Sequence, residues 1–139
     1  MPPRLRATSR SLLAAAALLP AVVAAAEATS IRCSATAAPS LRDAASNLSV
    51  VRASTRRAAR REALRRCRTA VAALPLLAGG TVGEALRRDR ALADAVDAAI
   101  RGARLASAPR TFADGGVALE YEVRLDGALG DRLAPRGKP

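Results

Sequence analysis

The alternation of apolar and polar positions divides the chain into segments of different character. From Ser11 to Ala28 the run SLLAAAALLPAVVAAAEA is almost wholly apolar, follows a start carrying Arg4, Arg6 and Arg10, and is interrupted by Pro20. A basic beginning, an apolar core too short and too broken to span a bilayer comfortably, and a small-residue exit are the parts of a cleaved signal peptide. Residues 1–26 are therefore expected to be removed after Ala24-Ala25-Ala26, whereas an uncleaved anchor would need a longer unbroken run. Residues 27–53 read as a flexible leader. Glu27 to Ser40 is small, polar and contains proline, and the piece LSVVRA beyond it is a first strand or the start of a helix.

From Ser54 to Leu74 the pattern predicts a helix. Leu64, Cys67, Val71 and Leu74 recur at helical spacing, with Ala63 and Ala70 beside them, and Arg61, Arg65 and Arg68 fall on the opposite side. Arg56 and Arg60 project onto the apolar stripe, so the first two turns are expected to overhang the core. Pro75 ends the helix. After the turn LLAGGTVGE, Thr81 and Glu84 have the spacing of a capping box for a second helix, Glu84 to Arg101. Its buried stripe is Leu92, Val96, Ala99 and Ile100, its i,i+4 pair Asp97 with Arg101, and its C′ residue Gly102.

The strand signal comes last. In GVALEYEVRL the residues Val117, Leu119, Tyr121, Val123 and Leu125 alternate with Ala118, Glu120, Glu122 and Arg124, as in an antiparallel strand covered on one face. Asp114-Gly115-Gly116 is turn chemistry, so ARLASAPRTF is expected to pair with it as a hairpin, with Pro109 restricting that partner to an edge or a broken ladder. Residues 128–139 read as a fraying tail. The expectation is an α+β fold, two helices packed on one face of a small antiparallel sheet ending in a β-hairpin, with residues 54–127 as its body.

Charge narrows the function classes. The chain of 139 residues carries net charge +11; 22 of its 23 basic residues are arginine, and alanine fills 36 positions. Without residues 1–26 there remain 20 basic and 12 acidic side chains, a net +8. Such a charge favours anionic surfaces, including phospholipid headgroups, anionic glycans and nucleic acid. The segment STRRAARREALRRCR, Ser54 to Arg68, concentrates it, and Arg57, Arg61, Arg65 and Arg68 are the candidates for anionic-surface contact. Nucleic-acid binding by this helix is the alternative. Base-reading or stacking modules usually set aromatics or Asn and Gln beside the charge, and here there is one Tyr, one Phe and no Trp.

The sequence points to no enzyme, cofactor, metal or small-molecule substrate. It has no histidine, the commonest general base and metal ligand. Glu120 and Glu122 share a strand face and could form an acid/base pair, but read as its solvated side. AGGTVG lacks the Gly-Lys-Ser/Thr ending of a phosphate loop, and the sequon Asn47-Leu48-Ser49 is expected to be silent, because the signal-peptide pattern and the Ala- and Arg-rich composition look bacterial. Cys33 and Cys67 leave two readings open. In an oxidising compartment an even count favours a disulfide, worth roughly 3 to 4 kcal/mol in the chain-entropy model. Alternatively Cys67 is simply a small hydrophobe on the helix stripe.

In order, TRRAARREALRRC, VDAAIRGARL and FADGGVALEYEVRLDG resemble a small bacterial envelope domain found in the twenty-kilodalton antigenic lipoprotein, the flagellar basal-disc lipoprotein and related exported proteins. Glu62-Ala63 stands where that pattern has Asp-Ala, Cys67 where it has Leu, and Asp114-Gly115 matches its turn. The resemblance covers roughly residues 54–127 and implies an α+β domain with helices on an antiparallel sheet. It implies no activity. No lipobox is present, because Cys33 lies too far beyond the apolar run and follows Ile31-Arg32. The expectation is thus a non-enzymatic structural or interaction domain of the cell envelope, periplasmic or secreted, with an envelope protein or anionic surface as partner and homo-oligomerisation through a sheet edge.

Overall fold

A computed structural model of the chain describes residues 29–40 and 47–135. The expected signal peptide and its expected cleavage site lie outside the described residues. The elements in order are β1 (Ser30–Ala37), α1 (Leu48–Ala72), α2 (Val82–Ala85), α3 (Arg90–Arg101), β2 (Arg104–Leu105), β3 (Arg110–Thr111), β4 (Val117–Arg124) and α4 (Gly127–Gly130). The fold is α+β, with an antiparallel sheet in which β4 is central. β1 pairs with one side of it over eight residues, Ser30 opposite Arg124 through Ala37 opposite Val117, and β2 and β3 share the other side.

The alternation of β4 is realised as read: Val117, Leu119, Tyr121, Val123 and then Leu125 are buried, while Ala118, Glu120 and Glu122 are half-exposed. The preceding turn closes with the Phe112 amide donating to the Gly116 carbonyl and the Gly116 amide donating to Asp114 Oδ1. Gly115 sits at φ +83°, a conformation that favours glycine. The hairpin partner is a broken ladder, interrupted around Pro109 between β2 and β3. Among the described residues β4 is paired on both sides, and the sheet edges are β1 and the interrupted β2 and β3 of the hairpin.

The largest departure is at the start of the domain. The stretch read as a flexible leader supplies β1, and LSVVRA is the first part of α1 rather than a strand. Asn47 caps that helix, its side-chain oxygen accepting from the Ser49 amide at 3.0 Å. The buried row of α1 is Val51, Thr55, Ala59, Ala63, Cys67 and Val71, each four residues after the last. Four residues turn the helix by about 400°, so this row drifts by about 40° per step and winds round the helix. Projecting the stripe straight back from Leu64 and Leu74 aims Arg56 and Arg60 inward. Both are in fact exposed, and the first turns do not overhang, because the small side chains of Ala59 and Ala63 bring the helix close to the sheet. Thr55, the buried polar residue of the row, donates its hydroxyl to the Val51 carbonyl.

The second helix is also corrected. Thr81 and Glu84 form the expected capping box, but it opens only the single turn of α2. Asp89 interrupts the run and caps α3, accepting from the Leu92 amide at 2.9 Å, because a short acidic side chain competes with the backbone for helix amides. Leu92, Val96 and Ile100 enter the core as expected, and Ala99 packs against it half-buried. Gly102 is the C-cap itself at φ −80°, not a left-handed C′ residue.

The tail is folded as far as it is described. Leu129 is buried, the Leu77 amide donates to the Arg132 carbonyl, and the Ala134 amide donates to the Pro75 carbonyl. Residues 136–139 lie outside the described residues.

Candidate functional site: the arginine face of the long helix

α1 carries eight arginines and one acid, Glu62, and all eight arginines are exposed. They do not share one environment. Toward the C-terminal half, Glu62 accepts from Arg65 at 2.8 and 2.9 Å and from Arg66 Nε at 2.9 Å. These charged hydrogen bonds hold the Glu62 carboxyl down at about 2 and push the Arg65 guanidinium above its ordinary value. Arg68 reaches across to α3 and pairs with Asp97 at 2.7 Å. Asp97 was expected to pair with Arg101 one turn on; the pairing found is between helices.

The N-terminal half is different. Among the described residues no carboxylate pairs with Arg52, Arg56, Arg57, Arg60 or Arg61. Arg52, Arg56 and Arg60 follow one another at four-residue spacing, as do Arg57 and Arg61, so like charges are neighbours on the helix surface, which is unfavourable for a helix by itself. Of the four arginines expected to meet an anionic surface, Arg57 and Arg61 are thus open to a partner, while Arg65 and Arg68 hold acids of this chain. Arg56 and Arg60, which the spacing aimed at the core, and Arg52, which it did not single out, stand with Arg57 and Arg61.

The outward face of the sheet offers mixed chemistry. Glu122 accepts from the Ser30 hydroxyl at 2.8 Å and lies 3.7 Å from Arg32, and Glu120 accepts from the Ser107 hydroxyl at 3.2 Å. The two carboxylates are taken up in separate side-chain contacts. Among the described residues no group of three His, Cys, Asp or Glu side chains could hold a metal ion.

Arg66 also makes a contact that matters for oligomerisation. The Leu125 amide donates to the Thr29 carbonyl, so alternation along the antiparallel ladder turns the backbone groups of Ser34 away from β4, toward the free edge of the sheet. There the Ser34 carbonyl accepts from Arg66 Nη1 at 3.0 Å. A long cationic side chain over an exposed strand edge is a device that discourages further strand pairing.

Cys33 on β1 and Cys67 on α1 form a disulfide with Cα atoms 5.4 Å apart, within the usual span of such bridges. The open choice between bridge and small hydrophobe resolves to both: the sulfurs are linked, and both residues lie in the core. No protein-family model, curated protein or solved structure matches the chain.

Proposed function

We propose that this chain is an exported, non-enzymatic structural or interaction domain of the bacterial cell envelope, periplasmic or secreted, of the type found in the antigenic and basal-disc lipoproteins it resembles. The observation that carries the reading is the Cys33–Cys67 disulfide, which uses both cysteines of the chain and spans a sequence separation of 34. Structural disulfides persist in oxidising compartments and are rare in the cytosol. The signal-peptide pattern of residues 1–26 supports the same compartment from the sequence side. Among the described residues no helix is long and apolar enough to cross a membrane. The carboxylates of the sheet face are engaged by neighbouring hydroxyls and by Arg32, and five exposed arginines without an acid stand together on the N-terminal half of α1, a distribution suited to surface contact rather than to turnover.

The test is the intact mass of the protein recovered from a bacterial host, taken with thiol trapping before and after reduction. A chain beginning at Glu27 whose two thiols are trapped only after reduction is the expected result. A full-length chain with both thiols free would refute export.

A further inference from the structure

Positive charge without an acid partner is densest on the N-terminal half of α1. Some arginines meet acids: Arg32 with Glu122, Arg132 with Asp89, Arg65 and Arg66 with Glu62, Arg68 with Asp97. Others, such as Arg101, Arg104, Arg110 and Arg124, are exposed without an acid among the described residues but stand apart along the chain. Arg52, Arg56, Arg57, Arg60 and Arg61 are exposed with no carboxylate partner among the described residues. They lie within ten residues of helix, about 14 Å along its axis. The same side of the helix carries apolar groups. Val50, 52 % exposed, precedes Arg57 by seven residues and so stands almost in line with it, and Ala53 is exposed between them. Leu48, 68 % exposed, lies at the helix tip.

From this arrangement we infer that the N-terminal half of α1 docks on an anionic phospholipid surface, with Arg57 and Arg61 at its centre and Arg52, Arg56 and Arg60 beside them. Charge complementarity decides the occupant. A cluster of guanidinium groups binds phosphates, and long arginine stems let the charged heads reach headgroups while neighbouring apolar side chains meet the acyl boundary. A bilayer surface offers both chemistries side by side. A nucleic-acid backbone offers the charge alone, and the side chains that would stack on bases are elsewhere: Tyr121 is in the core and Phe112 is at the hairpin turn. The inference rests on the export reading for the compartment in which such a surface is met. The protein would lie against the membrane without crossing it, and its grip would weaken with salt.

The experiment is co-sedimentation of the purified oxidised protein with vesicles of phosphatidylglycerol in phosphatidylcholine and with pure phosphatidylcholine vesicles, at low and at physiological salt. Binding to the phosphatidylglycerol vesicles alone, falling as salt rises, is expected. Arg57→Gln with Arg61→Gln should weaken it about thirty-fold, taking each arginine's contribution near an anionic surface. Arg104→Gln with Arg110→Gln removes the same charge from β2 and β3 and should leave binding unchanged. Each of these arginines is exposed, so unaltered urea midpoints check that both variants are folded. The inference is overturned by absence of binding, by equal binding to pure phosphatidylcholine, by equal weakening in the two double variants, or by tighter binding to duplex DNA at the same salt. An exported, disulfide-bonded protein that ignores the vesicles refutes the docking surface and leaves the envelope reading standing. A cytoplasmic, reduced protein that still binds them refutes the envelope reading instead.

Discussion

β1 and β4 are each eight residues long and lie side by side in full register, yet the means that hold them differ. β4 turns Val117, Leu119, Tyr121 and Val123 into the core, and Leu125 follows. Opposite them β1 offers Ala37, Ala35, Cys33 and Ile31, three of them small, with Ile31 and Ala37 only half-buried. One strand is placed by apolar area removed from water. The other contributes little such area and is joined to α1 by a covalent bond. A strand of small side chains can therefore belong fully to a sheet, provided that something other than its own burial fixes it.

The largest effect that would break this comparison comes from the bridge. Cys33→Ala with Cys67→Ala should cost about 3 to 4 kcal/mol in urea denaturation, the chain-entropy value for a loop of this length. A cost near zero would mean that the backbone ladder alone retains β1. On the other strand, Leu119→Ala removes a side chain 3 % exposed, directly across the ladder from Ala35, and should cost about 3 kcal/mol through lost burial and the cavity left behind. If that variant were nearly neutral while the cysteine variant was severe, burial would not be what holds β4.

The tail extends the comparison, since it too has few apolar side chains and is fastened by backbone contacts. A Cβ at Gly130 would collide with the Leu125 carbonyl. Gly130→Ala should therefore destabilise by about 2 kcal/mol, as overpacking does. No loss would show that residues 127–135 contribute nothing to stability. The smallest effect is electrostatic. Glu62 is held at about 2, below its ordinary 4.5, by hydrogen bonds from Arg65 and then Arg66. A depressed carboxyl contributes stability that is present above about 4.5 and lost as pH falls toward 2. The melting temperature should accordingly fall across that window, and Glu62→Gln should flatten the fall slightly, because solvent at the helix surface screens the pair.

These contrasts also explain what was legible in the sequence. β4 could be read because every second residue is large and apolar, and its turn because Asp114-Gly115-Gly116 leaves few alternatives. β1 has the same period of two in SIRCSATA, but with small residues inward and Ser, Arg, Ser and Thr outward the amplitude is low, and nearby Pro39 suggested a loop. The start of α1 was hidden in a similar way. Its buried positions there are Val51, Thr55 and Ala59, while the signal that would have found it was the capping residue Asn47. The break before α3 depended on whether Asp89 would cap or continue a helix, which its side chain settles only in three dimensions.

The candidate site was legible in composition and not in arrangement. The arginines of residues 54–68 announce a basic helix, but which of them are neutralised depends on Asp97 from another helix and on the choice of Glu62 between its neighbours. Sequence spacing singled out Arg65 and Arg68 along with Arg57 and Arg61, although only the latter two remain without an acid among the described residues.

Amide hydrogen exchange on the oxidised and the reduced protein tests the central claim most directly, comparing β1 with α3. The Ile31, Cys33 and Ala35 amides stand at the positions of β1 that face β4. On reduction they should lose protection well before those of Leu92 to Ile100, as a strand released from its tether would. Protection in β1 unchanged by reduction, or lost in step with α3, would contradict the account, because the strand would then be held by the same cooperative packing as the rest of the domain.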